Sequence, residues 1–234
     1  TSRADHLTGA DIAAAVMGRY GEDTLYGRET DDWLDGGRHN DMLQAGLGDD
    51  VVYGGENDDR VYGGTGSDRI YGGDQDDYVK GNAGDDLVYG GDGADAVLGS
   101  EGRDTLFGGA GSDQIYGDVG DDMLYGGSDD DSLFGSSGTD TLDGGNGADT
   151  LFGGSGSDYF HFDKSDGDDV VKDFVDDEDT LQFHQFYGTL TDAASALGFA
   201  TETDGNVTFD FGSDGIFTVE GTTKAALQND IEIM

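Results

Sequence analysis

From Gly18 to His161 the sequence repeats with a period of nine residues, sixteen units in a row without insertion or deletion, 144 of the 234 residues. Gly63-Gly64-Thr65-Gly66-Ser67-Asp68-Arg69-Ile70-Tyr71 is one such unit. The first place is Gly in every unit but one, where it is Ala45. The fourth is Gly in eleven, replaced elsewhere by Thr30, His39, Asn57, Gln75 and Asp129. The sixth is Asp in all sixteen, and the eighth is apolar in all sixteen, from Leu25 to Phe160. A fixed short period constrains a chain more than composition does. One unit is too small to bury its own apolar residue, so stability has to come from stacking copies.

The unit Gly-Gly-x-Gly-x-Asp-x-U-x, with U apolar, resembles the nonapeptide of the RTX (repeats-in-toxin) proteins. A lone Gly-Gly-x-Gly would carry little weight; sixteen in frame make the match specific. The resemblance implies a calcium-binding parallel β-roll in which each ion lies between loops two units apart.

The residues lead to the same architecture by another route. Glycine at the first, second and fourth places permits positive φ and close backbone approach, which predicts a six-residue loop and a three-residue strand. Strand side chains alternate faces, so the eighth residue points inward and its neighbours outward. Two units make one flattened coil, and stacked coils pair their strands in parallel. The fold class expected is therefore all-β: a right-handed parallel β-roll (β-solenoid) of about eight coils, roughly 38 Å long at about 4.8 Å per coil.

Stacking aligns the sixth-place aspartates in two columns. One holds Asp23, Asp41, Asp59, Asp77, Asp95, Asp113, Asp131 and Asp149; the other holds Asp32, Asp50, Asp68, Asp86, Asp104, Asp122, Asp140 and Asp158. Carboxylates roughly 5 Å apart repel by about 3 kcal/mol at an effective dielectric near 20. Cations between them would relieve this. Carboxylates and loop carbonyls form an all-oxygen donor set that suits Ca²⁺ better than Mg²⁺, which demands tight octahedral geometry. These sixteen aspartates are the candidate metal ligands. Residues 18–161 carry 29 Asp, 4 Glu and 7 Lys or Arg, a net charge of −26. Seven gaps in each column allow up to about 14 calcium ions, which would bring the block near neutrality.

The whole chain has a net charge of −41, which argues against nucleic acid or an anionic membrane as partner. It has no cysteine, which fits an extracellular bacterial protein stabilised by metal rather than disulfides. No apolar run approaches the roughly 20 residues of a membrane span. No signal-peptide pattern opens the sequence, and a start at Thr1 fits a processed piece or fragment of a longer protein.

Three regions follow: 1–17, an amino-terminal cap; 18–161, the roll; and 162–234, a carboxy-terminal β-rich cap. In the first, Gly9–Met17 reads either as a degenerate unit with Val16 in the eighth place or as a short helix capped by Asp11. Within the roll, the ninth places Tyr53, Tyr71, Tyr89, Phe107 and Tyr125 form an outward aromatic ladder. It either stabilises parallel strands or binds a polysaccharide or cell surface. The opposite column is broken by Gln44 and Lys80.

In the last region, Asp168–Phe174 and Asp179–Phe183 read as strands and Thr191–Leu197 as a short helix. Val207–Phe211 and Ile216–Glu220 read as a hairpin, and Thr222 or Thr223 as the cap of a last helical turn. Asp169-Val-Val-Lys-Asp-Phe174, Phe209-Asp-Phe211 and the ending Asn229–Met234 resemble the terminal region after RTX repeats in secreted proteases. That resemblance implies a cap and an uncleaved type I secretion signal; an ordinary β cap is the alternative.

No catalytic constellation emerges. His6, His39, His161 and His184 form no His-Glu-x-x-His, and no Gly-x-Ser-x-Gly, P-loop or EF-hand spacing occurs. The expectation is a non-enzymatic, secreted, extracellular module. It would fold on calcium after passage through type I secretion machinery, as the tail of a larger secreted enzyme or toxin.

Overall fold

The computed structural model describes residues 6–8, 15–164, 166–184, 190–212 and 215–234. Two sheets face each other, with successive strands alternating between them. Parallel strands therefore pair with the strand two units away: Val52 with Leu34 and Ile70, Val88 with Ile70 and Leu106. Every eighth-place side chain from Leu25 to Phe160 is fully buried between the sheets. The core is thus one residue wide per strand, and it is built only by repetition.

The strands are six residues long, not three. Trp33–Arg38, Val51–Glu56 and their equivalents run from the seventh place of one unit through the third place of the next. The ladder survives because the second-place residue turns the strand while keeping register. Gly55 has φ +128° and pairs with Gly37 and Gly73. A Cβ there would lie 2.1 Å from the Gly37 carbonyl oxygen. The residue before it points inward as well, so each strand buries its eighth-place side chain and its first-place glycine. Only the fourth to sixth places remain as the turn.

The frame also runs past both ends of the sixteen units. Leu7, in His6–Thr8, pairs with Leu25, and Val16, in Ala15–Tyr20, pairs with Leu34. Residues 15–17 thus follow the degenerate-unit reading; residues 9–14, including the Asp11 cap of the helical alternative, lie outside the described residues. These strands bring the number of coils to about nine.

Beyond Phe162 the same sheets continue with longer connections. Leu151 pairs with Val171 and Val171 with Val219 in one sheet; Phe160 pairs with Leu181 and Leu181 with Ile231 in the other. Antiparallel Asn206–Asp210 and Ala200–Thr203 then close the edge of the first sheet. The terminal region therefore prolongs the roll before it seals it. Its core is aromatic: Phe162, Phe183, Phe209 and Phe217 are buried, with Phe162 and Phe217 centroids 4.5 Å apart. Larger side chains form the core where the nonad spacing is lost.

The helix is Ala193–Gly198, and Asp192 caps it by accepting from the Ser195 backbone N–H. Thr223 Oγ1 accepts from Ala226 N at the short 3-10 turn Ala226–Gln228. The strand Ala200–Thr203 lies beyond the sequence expectations. Its signal is Asp204-Gly205, both at positive φ, a dipeptide that favours tight hairpins.

Candidate metal centre

The turns place the sixth-place aspartates at the two edges of the sandwich, one column on each edge. All sixteen are buried, none more than 4% exposed. Each carboxylate is held the same way. Asp59 Oδ1 accepts from Asp41 N at 2.7 Å, and Asp59 N donates to Asp77 Oδ1 at 2.7 Å. This link recurs at all seven steps of each column, from Asp23 to Asp149 and from Asp32 to Asp158. From Asp41 and Asp50 onward, one oxygen of each carboxylate is committed to the backbone one coil earlier.

The other oxygen is not. From Asp41 to Asp158, all fourteen Oδ2 atoms are buried with no hydrogen-bond partner among the described residues. They lie against the first-place glycines. A Cβ added at Gly54 would be 2.7 Å from Asp59 Oδ2 and 2.4 Å from the Gly72 carbonyl oxygen. The glycine requirement at this place therefore comes from an oxygen-lined space, not only from backbone freedom. Ala45, the single exception, is itself fully buried.

Burial makes these carboxylates hard to ionise in the absence of a cation. Desolvation pushes Asp59, Asp104 and Asp113 up to about 7 and Asp77, Asp86 and Asp131 up to about 8. The backbone N–H bond opposes the rise, and repulsion from column neighbours adds to it. A buried carboxylate oxygen without a donor is costly. A divalent cation with oxygen preference would satisfy it, remove the repulsion and restore the ionised form at once. The donor set fits calcium.

Three features lie outside the sequence reading. Asp169 and Asp179 extend the two columns, accepting from Asp149 N at 3.0 Å and Asp158 N at 2.9 Å. A periodic search passes over them because the spacing widens from 18 to 20 and 21 residues. Fifth-place aspartates form a second, exposed row of opposite sense: Asp31 Oδ1 accepts from Asp49 N at 3.0 Å, and Asp49 Oδ1 from Ser67 N at 2.9 Å. On the opposite face, Tyr116, Phe134 and Phe152 stack at 4.7 and 4.9 Å. The expected ladder is also present, with Tyr53, Tyr71, Tyr89, Phe107 and Tyr125 stacked at 4.7–5.1 Å and within 10° of parallel. His39 is an exposed turn residue at φ +81°, apart from the columns.

A parallel β-solenoid whose turns stack buried aspartates in columns defines a class of metal-binding repeat modules. The family model for the RTX calcium-binding nonapeptide repeat (4 copies) matches residues 17–52, 35–70, 53–88, 62–97, 89–124, 98–133 and 125–160. Together these windows span residues 17–160, more than half of the chain, and the chain belongs to that family. No curated protein matches the chain.

Among solved structures, it is similar to the extracellular lipase LipA from Serratia marcescens, with 20% identity and a TM-score of 0.36. That match covers 72% of this chain and 40% of the lipase, so the chain spans well under half of that protein's length. It is also similar to the AlgE6R3 subunit of the Azotobacter vinelandii mannuronan C5-epimerase, with 23% identity and a TM-score of 0.25 over 68% of this chain and 78% of that one.

Proposed function

We propose that this chain is a calcium-triggered folding module of a secreted bacterial protein, exported unfolded by type I secretion machinery and folding outside the cell. The observation that carries the reading is the set of fourteen buried Oδ2 atoms, from Asp41 to Asp158, without hydrogen-bond partners among the described residues. In this reading the sixteen sixth-place aspartates hold calcium between successive turns, with up to about 14 ions per chain. Low hydrophobicity and strong self-repulsion keep the metal-free block disordered, which suits passage through a narrow channel. Extracellular modules commonly bind calcium at about 10⁻⁴ to 10⁻³ M, so export itself would supply the switch. The binding free energy then becomes folding free energy.

The module has no catalytic role in this reading. It would form the carboxy-terminal part of a larger secreted enzyme or toxin, with residues 162–234 as cap and export signal. A polysaccharide- or surface-binding role for the aromatic ladder has less support. The ring faces are packed on one another, leaving mainly edges and hydroxyls outward. Such stacking supports sheet stabilisation.

The test is a calcium titration followed by far-ultraviolet circular dichroism, with magnesium as control. A cooperative gain of β signal with calcium alone is expected. A chain fully folded in chelator at pH 8 would overturn the switch.

A further inference from the structure

The aromatic ladder ends at Tyr125, and the same outward row continues as Asp143 and His161. Asp163 lies two residues beyond His161 and so faces the same side. The parallel register sets Phe162 against Phe183, which brings His184 beside Asp163. His184 N donates to the Phe162 carbonyl at 2.9 Å, fixing that placement. Two imidazoles and a carboxylate thus meet on the outer face where the last regular coil joins the terminal region.

One ligating atom from each of His161, Asp163 and His184 lies within 4.8 Å of the others. The imidazole rings meet edge to face, with centroids 4.3 Å apart. His161 Nε2 and Asp163 Oδ1 are both buried, and neither has a hydrogen-bond partner among the described residues. His184 Nδ1 is 3.9 Å from Asp163 Oδ1, and His161 Nδ1 is 3.8 Å from Asp143 Oδ2. Both contacts are longer than hydrogen bonds.

We infer that His161, Asp163 and His184 form a binding site for a zinc-class divalent ion, separate in place and chemistry from the aspartate columns. Imidazole nitrogen with one carboxylate suits Zn²⁺ and its neighbours, whereas calcium takes oxygen donors alone. Asp143 stands where an outer carboxylate orients a metal-bound histidine through its second ring nitrogen. Zinc would draw these ligand atoms in to about 2.0–2.2 Å from the ion. The ion would join Tyr159–Phe162 to the segment after Thr180–Phe183, across the first step in this sheet where the nonad spacing is lost.

The test uses the full chain saturated with calcium, so that the aspartate columns are filled, and titrates in Zn²⁺ by calorimetry. Co²⁺ absorption serves as a second readout of nitrogen ligation. About one zinc per chain is expected, together with a rise in the thermal midpoint of the calcium-loaded form. His161→Ala and His184→Ala should each weaken zinc binding at least ten-fold, and Asp143→Asn about ten-fold, while His39→Ala leaves it unchanged. Circular dichroism of each variant in calcium establishes that it is folded. His161→Gln and His184→Gln replace any alanine variant that is not. No zinc uptake in the presence of calcium, or uptake that survives both histidine substitutions, would overturn the assignment.

Discussion

If buried carboxylates are what keep the metal-free roll apart, protons should partly replace calcium. Thirteen column carboxyls are pushed up to between about 6 and about 8, first by desolvation and then by repulsion from acidic residues nearby, in the column or beside it. In the unfolded chain the same groups titrate near 3.8. The folded state therefore binds more protons than the unfolded state between about pH 4 and pH 7, and stability rises as pH falls through that window. Each proton taken up contributes about 1.4 kcal/mol per pH unit, so ~4 protons would add roughly 5 kcal/mol per unit, comparable to a small domain's whole stability. The perturbation is a pH series from 8 to 5 in chelator, read by far-ultraviolet circular dichroism and hydrodynamic radius. The chain should be expanded at pH 8 and gain compact β structure below about pH 6, the reverse of ordinary acid denaturation. A chelated chain that stays expanded throughout would refute the idea that charge burial opposes folding. One that is compact at pH 8 would show that the thin core suffices without relief of charge.

Four further outcomes are expected. The calcium midpoint should rise between pH 8 and pH 6, because protons compete for the same raised carboxylates; potentiometric titration would also show proton release on binding. Gly54→Ala, whose Cβ would press on the Gly72 carbonyl and Asp59 Oδ2, should destabilise the calcium form by about 3 kcal/mol in chemical denaturation, whereas Gly198→Ala, with nothing within 4 Å and no positive φ, should cost nothing measurable. Phe107→Ala removes two stacked contacts, at 4.7 and 4.8 Å, and should cost about 1–3 kcal/mol beyond lost area, visible as a lower thermal midpoint. Deleting residues 162–234 should raise the calcium midpoint and weaken its cooperativity, and an unchanged titration would count against any role of that region in starting the fold.

The repeat makes the roll legible because one pattern carries both of its structural constraints. Invariant apolar eighth places from Leu25 to Phe160 fix the core, and invariant sixth-place aspartates fix the edges. What escapes is whatever breaks the period or depends on pairing. Leu7 extends the core without a Gly-Gly-x-Gly-x-Asp of its own, whereas Val16 is legible by frame as the eighth place of a degenerate unit. Asp169 and Asp179 extend the columns at altered spacing. Strand length reads too short because glycine reads as turn, yet a first-place glycine such as Gly54 is buried in a strand and owes its identity to the oxygens around it. The cluster of His161, Asp163 and His184 is written in two segments whose register no local pattern specifies.

The hydrogen-bond columns also give the roll a direction. Each buried sixth-place N–H is satisfied by the aspartate of the following coil, never the preceding one. Leaving a buried N–H unmet costs about 1–3 kcal/mol, so a coil lacking its successor is incomplete, whereas a coil lacking its predecessor keeps its own sixth-place N–H satisfied and loses only the donor to its carboxylate Oδ1. The fifth-place row runs the opposite way, but it is exposed, and water can replace its bonds. The last regular aspartates, Asp149 and Asp158, are completed by Asp169 and Asp179 of the terminal region. That region has the larger apolar side chains, with Phe162, Phe183, Phe209 and Phe217 all buried, which makes it the expected place for folding to start. Growth from the carboxy-terminal end then presents each new coil with a formed acceptor. Growth from the amino-terminal end would leave each newly buried sixth-place N–H waiting for a coil not yet in place, although it would satisfy the seventh-place N–H groups, which donate back to the preceding coil, as Met42 N does to the Asp23 carbonyl at 2.9 Å.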